Sequence, residues 1–263
     1  MARESEILDE IKAEYVKDLL KQNKRVDDRG LMDYRAFSIE KGVFPNAEGS
    51  AMAHLGDTKV AAGIKFDIVK PYADRPTEGV FTVQAEYLPL AHPTFESGPP
   101  RENAIELARL VDRGIRSAEC VDTASFFVEE EKVLGMFLDV YVLDHNGNLA
   151  DCAALAGMSA LANAKFPKIE DGAIVRQEFK GPLPLARHVV SATFEKINGV
   201  PILDAVSEED TASDGRITLA ISSDGFLCAA QKAKSAGFTS DELLSLFDVA
   251  KEKTKPLLDA VQK

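Results

Sequence analysis

MFLDVYVLDHNGNLADCAALAGMSALANAK, residues 136–165, carries a strand, a short polar loop and a helix in one run. From Met136 to Leu143 the residues Met136, Leu138, Val140 and Val142 alternate with Phe137, Asp139, Tyr141 and Leu143. One face is therefore wholly aliphatic, Asp139 is the sole charge on the other, and the period of two predicts a central strand. Ala150 to Lys165 is instead dense in small residues, which let a helix lie close against a sheet, and Pro167 marks its end.

Upstream, Ala51 to Leu55 and Thr58 to Ile64 flank Gly56-Asp57, a turn of hairpin type, and with Tyr34 to Val43 they predict an antiparallel meander. Val69 to Gly79 and Pro89 to Pro100 are rich in Pro and Gly and read as loops around a short strand, Val80 to Tyr87. Glu102 to Glu119 has a helical pattern, and Thr123 to Glu130 reads as a strand. Downstream, strands are expected at His188 to Lys196, Arg216 to Ser222 and Phe226 to Gln231. Thr239 to Glu242 forms an S/T-x-x-E capping box before a helix carrying Leu243, Leu244, Phe247 and Leu258, which Pro256 should kink or interrupt. At the N-terminus, Leu8, Ile11, Tyr15 and Leu19 form one stripe, with Ile7, Val16 and Leu20 beside it; this amphipathic arm must pack on something. A polar link, Lys21 to Gly30, follows it. Mixed runs of strands and helices with hairpin connections point to an α+β fold, without internal repeat or a linker that divides the chain.

The 263 residues are 45% hydrophobic, enough for a substantial core. No run reaches about 18 consecutive apolar residues, and the first twenty are charged throughout, so neither a membrane span nor a secretory signal is expected and the cytoplasm is the expected location. Cys120, Cys152 and Cys228 fit neither a disulfide framework nor a zinc pattern and read as inert thiols. A net charge of −12 argues against holding nucleic acid by the overall field, and with aromatics at 7% and no Trp no stacking platform is evident. Any RNA contact must come from a local basic patch.

One candidate patch exists. Arg109, Arg113 and Arg116 stand at i, i+4 and i+7, within an arc of about 60° on one helix face. Like charges at these spacings repel, so something anionic should offset them. Glu106 and Asp112 offer local salt bridges; a phosphate backbone, gripped by the guanidinium fork, is the alternative. The acidic run from Asp204 to Asp214 suits a polar loop between strands, or a divalent ion held by hard oxygens, although no His or Asn accompanies it at a metal-loop spacing. Asp144-His-Asn-Gly-Asn148 precedes the small-residue helix, whose free amides could hold an anion, but Asp151 in its first turn opposes a phosphate. His54, His92, His145 and His188 show no ligand spacing, and there is no P-loop, G-x-G-x-x-G or G-x-S-x-G.

Arg25-Val-Asp-Asp-Arg-Gly30, Asp33-Tyr-Arg35, Glu48-Gly-Ser-Ala51 and Gly56-Asp-Thr-Lys-Val60 resemble the opening of ribonuclease PH-type domains. Ala85-Glu-Tyr-Leu-Pro-Leu90, the segment from Gly98 to Arg109, Val111-Asp-Arg-Gly-Ile-Arg116 and Asp139-Val-Tyr-Val-Leu-Asp144 with Gly147-Asn148 are similar to the non-catalytic ribonuclease PH-type subunits of archaeal exosomes, over about Arg25 to Gln231. The resemblance implies a ribosomal protein S5 domain 2-like α+β fold, with an N-terminal helical arm (1–24), a ribonuclease PH-type domain (25–237) and a C-terminal helix packed on it (238–263). It also implies a hexameric ring of three heterodimers in which the chain alternates with a catalytic sister. RNA-binding cap proteins top the ring, which degrades single-stranded RNA from its 3′ end with phosphate as nucleophile.

Catalytic members carry a Gly-Thr-Arg or similar element after the central strand to hold the attacking phosphate. Here the matching region reads Gly147-Asn-Leu-Ala-Asp151, so a carboxylate or an apolar residue stands where the cation would be. They also carry Glu-Asp with an Asp six residues on, whereas Glu209-Asp210 is followed by Asp214 after only four. The resemblance thus implies no catalytic residues, no cofactor and no metal in this chain, and a role for Arg109, Arg113 and Arg116 in contacting RNA phosphates and shaping the partner's active site. The rival expectations are an active phosphorolytic exoribonuclease using Asp204, Asp210 and Asp214, and a purely structural ring component.

Overall fold

The computed structural model describes residues 2–263, with side chains from Leu8 onward except Asp9. The first sheet takes the order β1-β2-β3-β6-β4, with β1 Phe37–Lys41, β2 Gly49–Leu55, β3 Thr58–Val69, β4 Val80–Tyr87 and β6 Lys132–Asp144; β5 Phe127–Glu129 pairs with β6. The expected hairpin is present in register from Leu55↔Thr58 to Gly49↔Ile64. β6 is central, antiparallel to β3 and parallel to β4. The second sheet is antiparallel in the order β10-β9-β11-β12, with β9 Val189–Ile197, β10 Val200–Leu203, β11 Gly215–Ser222 and β12 Leu227–Lys234.

Between the two sheets lies α3, Leu149–Ala162, which packs on β2 and β3 on one side and on β9 on the other. Every residue from Asp151 to Leu161 is buried, because a helix covered on all sides has no solvent face to keep polar. Gly49 on β2 permits the approach: a Cβ there would stand 2.5 Å from the Ala160 carbonyl oxygen and 2.6 Å from Ala164 Cα, both backbone. Gly49→Val should therefore destabilise the chain by about 3 kcal/mol through overpacking, read as a lower urea midpoint at unchanged slope. Helix α2, Glu102–Ser117, lies beside α3 and buries Ala104, Leu107, Ala108, Val111, Gly114 and Ile115, leaving its charged side outward.

Several elements depart from expectation. Thr123–Phe126 is a 3-10 turn, capped by the Asp122 side chain accepting from Ala124 N, and only Phe127–Glu129 is strand. Residues beyond the small-residue helix form a separate hairpin, β7 Lys165–Glu170 with β8 Ala173–Pro182, absent from the sequence reading; Pro167 sits where its register shifts, as a residue without an N–H must. The acidic run is not all loop: Ser207–Thr211 makes one helical turn, α4.

In α1, Ala2–Lys21, the inward residues are Val16 and Leu20, packed with Ile197, Ile202, Ala205 and Ala212. Leu8, Ile11 and Tyr15 are about 60% exposed, so the stripe expected to pack faces outward; Ile7 falls outside the described side chains. At the C-terminus the Thr239 box caps α5, Ser240–Lys253, and the helix breaks at Thr254, with Pro256 in the first turn of α6, Lys255–Gln262. Leu246 and Ala250 join the core of the second sheet, while Leu257, Leu258 and Val261 join the main core. Cys120 and Cys152 are buried free thiols and Cys228 is half-buried. No helix among the described residues is long and apolar enough to cross a membrane.

Candidate nucleic-acid interface

α2 presents Arg109, Arg113 and Arg116 outward, and their surroundings separate them. Arg116 Nε donates to Asp112 Oδ1 and Oδ2 at 3.0 and 2.9 Å, its Nη2 donates to the Phe81 carbonyl at 2.5 Å, and the guanidinium lies 5.1 Å over the Phe81 ring. The local salt-bridge reading therefore holds for this arginine. It does not hold for Arg109, because Glu106 accepts from Gln231 Nε2 on β12 at 2.9 Å instead. Among the described residues neither Arg109 nor Arg113 has an ion-pair or hydrogen-bond partner. Two adjacent cations on an acidic protein thus stand ready for an external anion.

The loop before α3, by contrast, is filled by the chain itself. Asn148, at φ 47°, caps the helix by accepting from Asp151 N at 3.4 Å. The Asp151 carboxylate accepts from Thr193 N, Thr193 Oγ1, Tyr34 Oη and Asn148 Nδ2 at 2.7–3.0 Å. Burial pushes its pKa up to about 7 against the pull of the Asn148 and Thr193 bonds. Gly147, at φ +82°, lies against the backbone of Ala205 to Ser207, where any Cβ would collide. A phosphate approaching these amides would meet the Asp151 carboxylate, while the guanidinium bonded to the loop, that of Arg35, is engaged by the Asn146 and Gly147 carbonyls and by Asp204.

The three acids of the rival reading have separate duties. Asp204 is fully buried and accepts from Arg35 N, Nε and Nη2 at 2.7–2.9 Å, from Arg29 Nη1 at 3.0 Å and from Asn148 Nδ2 at 2.8 Å. Burial works to raise its pKa, but the Arg35 guanidinium and these hydrogen bonds outweigh it and hold the carboxyl below the usual range. Asp210 faces a cleft under α2 and pairs with Arg216 at 2.8 Å and Lys234 at 2.6 Å. Burial is again outweighed, here by those two cations, and the pKa is lowered. Both cations also pair with Glu195, so two cations meet two carboxylates and the cleft keeps no spare positive charge. Asp214 accepts from Asn198 N at 2.9 Å and serves the β9–β10 turn.

Sequence reasoning gave no duty to Arg25, Arg29 and Arg35. Arg25 is buried and pairs with Glu209 while donating to the Leu203 and Asp204 carbonyls; Arg29 and Arg35 clamp Asp204. Their only signal was a position within the segments that resemble ribonuclease PH domains. His92 and His145, distant in sequence, come together with ring centroids 5.4 Å apart and Phe95 beside both.

Residues 33–167 match domain 1 of the 3′ exoribonuclease family, and residues 188–253 match its domain 2. The chain is 41% identical to a protein of Pyrococcus furiosus called exosome complex component Rrp42, over 98% of this chain and 96% of the relative. A Methanothermobacter thermautotrophicus protein of the same name is 38% identical over 100% of this chain and 98% of the relative. Among solved structures, a chain of the Archaeoglobus fulgidus exosome with RNA bound to the active site superposes with a TM-score of 0.89 at 39% identity, over 96% of this chain and 98% of that one. A chain of an archaeal exosome core superposes at 0.87 with 36% identity, over 98% and 99%. Rice Rrp46, at 18% identity and a TM-score of 0.69 over 91% and 99%, shares the fold.

Proposed function

The chain belongs to the ribonuclease PH family of 3′ exoribonucleases, and from that premise we propose that it is the catalytically silent subunit of an exosome core ring. In this reading the ring is a hexamer of three heterodimers, alternating with a catalytic sister and topped by RNA-binding cap proteins in the cytoplasm. The chain contributes an N-terminal arm (1–24), a body (25–237) and a C-terminal segment (238–263). Its task is to hold single-stranded RNA near the 3′ end and to shape the sister's active site.

The observation that carries the reading is the self-filled loop before α3. Asp151 accepts four bonds from the protein and Asn148 caps its amide, so the first turn of α3 offers an attacking phosphate a buried carboxylate where a cation is needed. Phosphoryl transfer depends on such positioning and charge stabilisation, which makes turnover by this chain alone negligible. The unpaired Arg109 and Arg113 supply the RNA contact, with Arg116 braced against Asp112 and Phe81 at the end of the row.

Phosphate-dependent shortening of a single-stranded RNA, assayed with the purified chain, with the sister subunit and with their mixture, tests the proposal. The isolated chain should release no nucleoside diphosphate and the mixture should do so. Release by the chain alone, in proportion to its concentration, would overturn it.

A further inference from the structure

The cleft under α2 that Asp210 faces has a volume of about 180 Å³, and Tyr87, Phe95 and His145 form an aromatic wall along it. Ring centroids of Tyr87 and Phe95 are 4.8 Å apart, and those of Phe95 and His145 are 5.5 Å apart. At roughly 30 Å³ per water the cleft takes about six small heavy atoms, the size of a four-carbon diamine.

The groups left uncommitted in the lining decide what fits. Glu195 and Asp210 share Arg216 and Lys234, so those charges cancel. Glu106, at the rim on α2, is paired with no cation among the described residues and accepts only from the neutral Gln231 amide at 2.9 Å, which leaves the lining negative. Asn103, one turn before it, takes the Tyr87 hydroxyl on its backbone carbonyl, and its side chain has no hydrogen bond among the described residues. His145 Nδ1 is buried without any partner, an unfavourable state that a donor supplied from outside would relieve. Burial, with His92 adding to it, lowers the pKa of this imidazole, so near neutrality the ring is uncharged and can accept. An anion would be repelled here, and an uncharged ligand would leave Glu106 without a counter-charge. An alkylammonium carries three donors and no acceptor, and a carboxylate, an amide oxygen and an imidazole nitrogen stand open to it beside aromatic faces that attract cations.

We propose that this cleft is an alkylammonium site and that its occupant is a free aliphatic polyamine. The terminal ammonium is held by Glu106, the Asn103 side-chain oxygen and His145 Nδ1, and the methylenes lie against Tyr87 and Phe95. The site does not depend on the RNA contact assigned to Arg109 and Arg113, which line a different hollow of α2.

The test titrates 1,4-diaminobutane and spermidine, by calorimetry in phosphate-free buffer, into the full chain assembled with its catalytic sister. Saturable binding is expected with one site per copy of this chain. Glu106→Gln and His145→Phe should each weaken it about tenfold, and 1,4-butanediol, of the same length but uncharged, should not bind. Glu106→Gln exchanges an exposed carboxylate for an amide of the same shape, and His145→Phe keeps a ring on Phe95, so a folding failure of one variant leaves the other informative. Uptake that never saturates, or that both variants leave unchanged, is that of diffuse counter-ions on a chain of net charge −12 and would overturn the site. Binding by the full chain alone that vanishes on assembly would also overturn it, because the sister subunit would then fill the cleft.

Discussion

Replacing Asp204 with Ala is expected to destabilise the chain by about 3–5 kcal/mol, as breaking a buried ion pair does. The carboxylate is fully buried, and its loss strips Arg35 of its counter-charge and Arg29 of one of two. For a chain of this size the midpoint of thermal unfolding should fall by on the order of 10 °C. Asp204→Asn should fall between the two, since it keeps one acceptor and loses the charge. The pH dependence has a definite sign. A carboxyl held below its ordinary value contributes stability above the unfolded pKa of about 3.9, and that contribution is lost as pH falls through the lower folded value. The gap between parent and Asp204→Ala should therefore be widest near neutrality and narrow in acid. A variant as heat-stable as the parent would mean that the arginines have other partners and would reopen the rival reading of Asp204 as a catalytic acid.

The paired substitution Arg109→Ala with Arg113→Ala should behave in the opposite way. Neither side chain has a partner in the described chain, and removing like charges at i, i+4 relieves about 0.2–0.5 kcal/mol of repulsion, so the melting point should hold or rise slightly. Binding of single-stranded RNA by the assembled ring should fall about tenfold or more per arginine at low salt. The slope of log affinity against log salt should flatten by about 1.4, since each lost phosphate contact on a single strand accounts for about 0.7. Arg116→Ala makes the contrast. Its bonds to Asp112 and to the Phe81 carbonyl lie within the chain, and with the side chain about half exposed their loss should cost no more than about 1 kcal/mol of stability. Its effect on RNA should be the smallest of the three. An unchanged salt slope in the double variant would return the whole face to the salt-bridge reading.

How much of this was readable along the chain depends on the range of each interaction. The alternation in β6, the hairpin at Gly56-Asp57 and the capping box at Thr239 are set by residues within a few positions of one another, and all three formed as expected. The β7–β8 hairpin escaped notice because Pro167 resembled a helix stop, and only the shifted register around it admits a strand. The stripe on α1 was real as a period, but periodicity gives the angle between two faces and not which of them meets the body, where Val16 and Leu20 beside the stripe pack while Leu8, Ile11 and Tyr15 face outward.

By itself the sequence determined the α+β plan, the small-residue helix that must be buried, and the placing of three arginines on one helix face, because these follow from spacing along a single element. Only the tertiary structure decided which arginines are unpaired and that Asp204 belongs to Arg29 and Arg35. Those outcomes depend on partners up to 175 residues away, as with Arg29 and Asp204. Charge pairing acts through space, and every acid of the run from Asp204 to Asp214 offers much the same carboxylate until the fold chooses its neighbours.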